Sequence, residues 1–147
     1  MFFIKHIGLY VADLTRMGEF YQKALRMIPL QEEIEDHGFL YDQLYDVSNA
    51  SASVTKLVSE YGAAQRRGDM LELVCTEQTF QNGMSIERTS INLPGSSHIA
   101  FGVEDIEDIV EGIKFWGGIQ RTDILTIGSR KCCFCQDPEG NWIELIE

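Results

Sequence analysis

The sequence predicts an α+β fold built from one strand–helix–three-strand unit used twice. Two repeats carry that prediction. Gly68-Asp-Met-Leu-Glu72-Leu-Val matches Gly140-Asn-Trp-Ile-Glu144-Leu-Ile as Gly-x-x-apolar-Glu-Leu-apolar. Lys5-His6-Ile-Gly-Leu-Tyr-Val-Ala-Asp-Leu14 is mirrored by Ser97-His98-Ile-Ala-Phe-Gly-Val-Glu-Asp-Ile106. A helical pattern follows each His-Ile strand, so the whole arrangement recurs.

The elements follow in order. Phe2 to Val11 reads as a strand with Ile4, His6, Gly8 and Tyr10 on one face. Ala12 to Thr15 breaks it and can cap a helix. Met17, Phe20, Tyr21, Ala24 and Leu25 then make one apolar helical face. Pro29 closes it. Leu30 to Glu35 reads as a charged edge strand, and His37-Gly38 as a turn. Residues 39–53 fit a strand or a short helix, ending in loop. Ser53 to Ser59 reads as a strand, Tyr61 to Gly68 as a loop, and Met70 to Thr76 as the strand carrying Glu72. Residues 77–95 are polar and turn-rich, which suits a linker.

The second copy opens at Ser97. Ile106, Ile109, Val110 and Ile113 line a helix over 104–116, ended by Gly117-Gly118. Short strands are expected near 119–124 and 130–136. Asp137-Pro-Glu-Gly is turn chemistry. It leads into a last strand where Trp142, Glu144 and Ile146 share a face. The chain thus divides into modules 1–76 and 96–147 within a single domain of 1–147, joined by 77–95. His6 and Glu72 are 66 residues apart, and His98 and Glu144 are 46 apart. The difference must sit in first-half loops, within 41–53 and 61–68.

Bulk properties exclude several classes. The chain has 147 residues and a net charge of −11, which argues against nucleic acid or an anionic membrane as partner. No apolar run approaches the ~20 residues of a membrane span. The start lacks a signal-peptide pattern, so a cytoplasmic protein is expected. Cys75, Cys132, Cys133 and Cys135 read as small buried hydrophobes of a reducing compartment. Cys132 and Cys135 would face opposite ways on a strand, and no second pair completes a zinc site.

Glu72 and Glu144 are carboxylates within apolar strands, where a charge needs a partner. His6, Glu72, His98 and Glu144 would face away from the helices. Two imidazoles and two carboxylates suit a divalent first-row metal. The alternative is two structural histidines and two solvated glutamates. Recurrence at matching positions favours metal.

These residues also carry a resemblance. His6-Ile-Gly-Leu-Tyr-Val-Ala-Asp-Leu with the Phe20-Tyr21 helix, His98-Ile-Ala-Phe-Gly-Val, and Asp137-Pro-Glu-Gly-Asn-Trp-Ile-Glu-Leu-Ile-Glu resemble the vicinal oxygen chelate superfamily. That superfamily includes glyoxalase I, methylmalonyl-CoA epimerase, extradiol dioxygenases and drug-resistance proteins. The resemblance spans nearly the whole chain and is weakest over 39–68. It implies paired βαβββ modules forming a cupped, barrel-like mixed sheet with helices outside. It implies a metal (Ni, Co, Zn, Mn or Fe) held by His6, Glu72, His98 and Glu144, and a homodimer.

The full ligand set is most similar to glyoxalase I. That implies a small α-hydroxycarbonyl, thioester or hemithioacetal substrate, proton abstraction, and a metal-stabilised enediolate. Glu144 is the first choice as base and Glu72 the second. The alternatives are an epimerase-like isomerase and a non-enzymatic small-molecule binding protein. The epimerases' extra catalytic Glu has no clear match in strand 53–59. His37, the one spare histidine, reads as an exposed loop residue rather than a catalytic one. Glutathione-dependent glyoxalases place an Arg four residues after the first His and tend to carry an Asn four after the first Glu. Here these are Tyr10 and Thr76, so a different substrate is expected unless Arg66, Arg67 or Lys131 supplies the missing charge.

Overall fold

The computed structural model describes residues 3–66, 68–82, 91–92 and 94–147. In order it contains β1 (Ile7–Tyr10), α1 (Leu14–Lys23), β2 (Ile28–His37), α2 (Phe39–Tyr45), β3 (Ser51–Val58), α3 (Glu60–Gln65), β4 (Met70–Cys75) and α4 (Glu77–Asn82). Then come β5 (His98–Gly102), α5 (Ile106–Phe115), β6 (Ile119–Gln120), β7 (Leu125–Ile127), β8 (Arg130–Gln136) and β9 (Trp142–Ile146). Two compact units result: Met1–Gln22 with Arg26–Met84, and Ser85–Glu147 with Lys23–Leu25. The first unit has a strand, a helix and three further strands, and the second a strand, a helix and four, β7 being the extra one; the expected α+β fold of two βαβββ-type modules is otherwise the one observed.

In the first unit the sheet order is β1-β4-β3-β2. β1 runs parallel to β4 with Gly8 opposite Glu72. β3 runs antiparallel to β4 with Lys56 opposite Glu72. Leu71, Leu73, Thr55 and Leu57 are buried on one face, as are Met17, Phe20 and Tyr21 of α1. A Cβ at Gly18 would come 3.8 Å from Thr55 Cγ2, so α1 lies on that face. Burying such side chains stabilises the unit by about 1.5–3 kcal/mol each. Asp13 caps α1, its Oδ1 accepting from the Arg16 N–H at 3.0 Å.

β2 is longer than the sequence suggests, because a bulge absorbs its irregular pattern. Its register slips between Gln31 and Ile34, where Glu33 has φ 49°. The Glu33 N–H donates to Thr55 Oγ1 at 3.1 Å. His37 therefore ends a strand rather than forming a turn.

Two short helices fill the first-unit insertions. Residues 39–45 resolve as α2, with Tyr41 and Tyr45 packed on Ala52, Val54 and Val74. Residues 61–68 are not a plain loop: most of them fall in α3. Ser59 caps it, its Oγ accepting from the Gly62 N–H at 3.0 Å. A Cβ at Gly62 would meet Val58 Cγ2 at 2.6 Å, so a glycine is required inside this helix, where glycine ordinarily weakens the pattern. The expected linker 77–95 opens as helix α4. Thr76 and Thr79 start it, with Thr79 N–H donating to Thr76 Oγ1 at 3.1 Å. Residues 83–90 and 93 of that linker, and Arg67, lie outside the described residues.

In the second unit the order is β5-β9-β8-β6, with β7 paired to β8. Of the strand expected near 119–124 only Ile119–Gln120 is strand, as β6, and a further short strand, β7, follows at Leu125–Ile127. Ala100 stands opposite Glu144 in the parallel β5–β9 pair, and Phe134 stands opposite it in the antiparallel β8–β9 pair. Ile106, Ile109, Val110 and Ile113 of α5 are buried, with Ile143 and Leu145 of β9. Cys133 and Cys135 are buried too, and burial pushes the Cys135 thiol up to about 12. All four cysteines are free thiols.

The turn before β9 is organised by Asp137. Its Oδ1 accepts from the N–H groups of Glu139 (3.0 Å) and Asn141 (2.8 Å). Its Oδ2 accepts from Asn141 Nδ2 at 2.8 Å. Gly140 supplies φ 91°, as the sequence requires. No helix among the described residues is long and apolar enough to cross a membrane.

Candidate metal centre

Each unit brings one histidine to one glutamate. In the first, His6 lies just before β1, two residues from Gly8, the neighbour of Glu72. His6 Nε2 is 3.4 Å from Glu72 Oε2. In the second, His98 opens β5 two residues from Ala100, the neighbour of Glu144. His98 Nε2 is 3.1 Å from Glu144 Oε2. The two pairs occupy the same register of the same frame. Both carboxylates are half-buried and both imidazoles more open, with side-chain exposures of 18% and 22% against 42% and 40%.

These separations fit shared coordination. Two ligand atoms each about 2.1 Å from one ion stand roughly 3.0–3.4 Å apart when they subtend about 90–110°. Nε2 of a neutral imidazole and a carboxylate oxygen are ordinary ligands for a divalent first-row ion. Within each unit, the paired residues therefore suit such an ion without rearrangement. Alternation also explains the burial. Leu71 and Leu73 point into the core beside Glu72, and Ile143 and Leu145 beside Glu144, leaving each glutamate on the opposite face.

The surroundings of the two glutamates differ. Lys56 Nζ lies 3.5 Å from Glu72 Oε1, so Glu72 is shared between His6 and a lysine. On the same face Tyr10 and Tyr45 share a hydrogen bond, with hydroxyl oxygens 3.1 Å apart. Their rings meet edge to face at 6.4 Å. Tyr41 donates to Asp36 Oδ2 at 3.2 Å. Burial, and then Asp36, hold its hydroxyl above the usual tyrosine range. Burial, followed by the bond to Tyr10, does the same for Tyr45.

Around Glu144 the neighbours are aromatic. His98 meets Phe134 edge to face at 5.4 Å, and Phe134 meets Trp142 at 6.5 Å. Arg121 lies over the Trp142 ring, 5.7 Å from its centroid. Sequence reasoning placed Tyr10 and Trp142 on the ligand faces but missed Tyr41, Tyr45, Lys56, Phe134 and Arg121. Lys56 and Phe134 could have been found from the alternation of β3 and β8, once each strand's register against its glutamate strand was known.

Other candidates have structural roles. Lys131 is engaged by Glu107 at 3.1 Å and Glu147 at 2.9 Å. Arg66 ends α3 with φ 53°. Asp105, Glu107 and Glu147 bring ligand atoms within 4.8 Å of one another, and the start of α5 accounts for much of this. Asp105 caps it through the Asp108 N–H at 2.9 Å, and Glu147 Oε2 accepts from the Ile106 N–H at 2.8 Å.

Comparison with known proteins agrees with this frame. A glyoxalase family protein from Bacillus cereus is 18% identical, with a TM-score of 0.81 over 98% of this chain and 92% of that one. The trypanothione-dependent glyoxalase I of Leishmania major is 22% identical, with a TM-score of 0.65 over 100% and 87%. A genomically encoded fosfomycin resistance protein from Listeria monocytogenes is 17% identical, with a TM-score of 0.60 over 99% and 90%. At such identities the likeness is one of fold. No curated protein matches the chain significantly in sequence. The sequence profile of one family matches residues 3–145, nearly the whole chain. The chain belongs to the Glyoxalase/Bleomycin resistance protein/Dioxygenase superfamily.

Proposed function

We propose that the protein is a divalent-metal-dependent lyase or isomerase of the glyoxalase I type, acting on a small α-hydroxycarbonyl, thioester or hemithioacetal compound. The observation that carries this reading is the repeated His–Glu pair, at 3.4 Å and 3.1 Å. In this reading His6, Glu72, His98 and Glu144 together hold one ion, from one chain or from two. A bound ion would supply Lewis acidity to a carbonyl and lower the cost of the charge left by proton removal.

The chain supplies the base. Among the described residues the Glu144 carboxylate has an ion pair with His98 alone, whereas Glu72 is also tied to Lys56. Glu144 is therefore freer to swing toward a substrate C–H, take the proton, and return it to the neighbouring carbon. Phe134 and Trp142 beside it would shield that transfer from water. Tyr10 stands where glutathione-dependent relatives carry an Arg, and its hydroxyl is bonded to Tyr45. A carboxylate of glutathione would find no bidentate partner there.

The test is elemental analysis of the purified protein, alone and as the His6→Ala, Glu72→Ala, His98→Ala and Glu144→Ala variants. About one Ni, Co, Zn, Mn or Fe per site, reduced in every variant, is the expected result. Absence of metal, or metal retained in all four, would sink the proposal and favour a binding protein. We also infer a cytoplasmic homodimer. Exposed apolar side chains on α2 (Phe39, Leu40 and Leu44) support association. Light scattering showing a 16.7 kDa monomer at micromolar concentration would count against it.

A further inference from the structure

Arg121 has an open guanidinium in a fixed place. Its backbone N–H donates to the Phe134 carbonyl at 2.8 Å, and so does the Thr122 N–H at 3.2 Å. Thr122 Oγ1 accepts from the Phe134 N–H at 2.9 Å in return. Three hydrogen bonds thus clamp the segment after β6 to the strand that faces Glu144. The side chain stacks over Trp142 at 5.7 Å, and among the described residues no carboxylate pairs with it. An arginine held by a ring face keeps its fork of N–H donors for something else.

Its position relative to the metal pair is also fixed. Trp142 and Glu144 are two residues apart on one face of β9, about 7 Å along the strand. Phe134 makes ring contacts with both His98 and Trp142, and His98 is the strand partner of Trp142. Trp142 thus lies beside a candidate metal ligand and under Arg121. A molecule lying across Phe134 and Trp142 would place one end at Glu144 and the other on the guanidinium, on the order of 10 Å away.

We propose that Arg121 is a specificity-determining residue that binds a carboxylate at the far end of the substrate, across an aromatic platform of Phe134 and Trp142. The substrate is then an α-hydroxycarbonyl or acyl compound with an apolar or aromatic body and a terminal carboxylate. A single guanidinium matches one monoanion, and its planar fork matches a carboxylate's two oxygens. This rests on the metal-centre reading for the chemistry at Glu144, but not for the binding at Arg121.

The experiment separates the two. The full chain is titrated with 2-naphthoate and with neutral 2-naphthylmethanol, following the Trp142 indole N–H by NMR. Naphthoate is expected to bind about tenfold tighter. Arg121→Gln should abolish that preference while leaving naphthylmethanol binding unchanged, and Arg121→Lys should restore part of it. Equal affinities in the parent chain, a preference that survives Arg121→Gln, or naphthoate binding that leaves Trp142 unshifted would each overturn the proposal. Metal content is read separately on the same samples. Loss of the anion preference with metal present strikes Arg121 alone, and absence of metal with the preference intact strikes the proposed reaction alone.

Discussion

Lys56 and Phe134 hold the same position in two copies of one frame. Each is the antiparallel partner of a glutamate, Lys56 of Glu72 and Phe134 of Glu144. The duplication keeps the His–Glu pairs alike but makes their neighbours a cation and an aromatic ring. That difference gives unlike surroundings to two glutamates that the repeat alone leaves equivalent.

The first expectation follows for the base. Glu144→Gln keeps an oxygen ligand and removes the proton acceptor. We expect kcat to fall by ~10²-fold or more with little loss of bound metal, and Glu72→Gln to reduce metal affinity more than turnover. Steady-state kinetics with parallel metal analysis would check this. Unchanged turnover in metal-loaded Glu144→Gln would pass the role to Glu72.

Lys56 should act on the metal itself. Its ammonium occupies one oxygen of Glu72 and would stand close to a dication. Lys56→Met is expected to tighten divalent-metal binding roughly fivefold, the scale of one partly screened charge at such distances. Competition with a chelator of known affinity measures it. Weaker binding in Lys56→Met would show instead that the lysine pre-positions Glu72.

The glutathione hemithioacetal of methylglyoxal should be a poor substrate. Tyr10, bonded to Tyr45, and Thr76, which caps α4, stand where the resemblance to glutathione-dependent glyoxalases implies an Arg and, as a tendency, an Asn. We expect kcat/KM below ~10⁴ M⁻¹s⁻¹. A value above that would refute the substrate claim while leaving the metal centre in place.

A fourth expectation concerns pH. The Ile106 N–H, and then Lys131, hold the Glu147 carboxyl below its ordinary 4.5. Glu147, followed by Glu107, holds Lys131 above its ordinary 10.5. A lowered acid contributes stability that is present above pH 4.5 and lost as pH falls through the lowered value. A raised lysine contributes stability that is present below pH 10.5 and lost as pH rises through the raised value. The Tm gap between the parent chain and Glu147→Gln should therefore be widest near neutral pH and close toward both extremes. A gap constant from pH 3 to 11 would contradict the assignment.

Much of this was legible in the sequence, for physical reasons that can be named. Strand alternation showed that Glu72 and Glu144 could not share a face with their leucine neighbours. The Asp137 turn announced itself through Pro138 and Gly140. What stayed hidden depends on pairing across the chain. The helix α3 was masked by Gly62, a residue demanded by close approach to Val58. The length of β2 was masked by the bulge at Glu33, held through Thr55. Arg121 could not be found, because only the fold brings it over Trp142.

The Asp137 turn has a last consequence, for the order in which the His98–Glu144 pair, the proposed metal half-site, assembles. β8 and β9 are joined by five residues and pair as a hairpin, a contact of low sequence separation that forms quickly. β5 and β9 pair in parallel across more than forty residues, a closure that costs more chain entropy and comes later. Glu144 is then set in place early, and His98 arrives last. Asp137→Ala should slow folding, whereas His98→Ala should leave the folding rate unchanged. Stopped-flow refolding in which His98→Ala slows the main phase as much as Asp137→Ala would reverse that order. With the order as stated, the half-site is completed only as the unit closes, so the ion would meet a nearly finished fold rather than direct its formation.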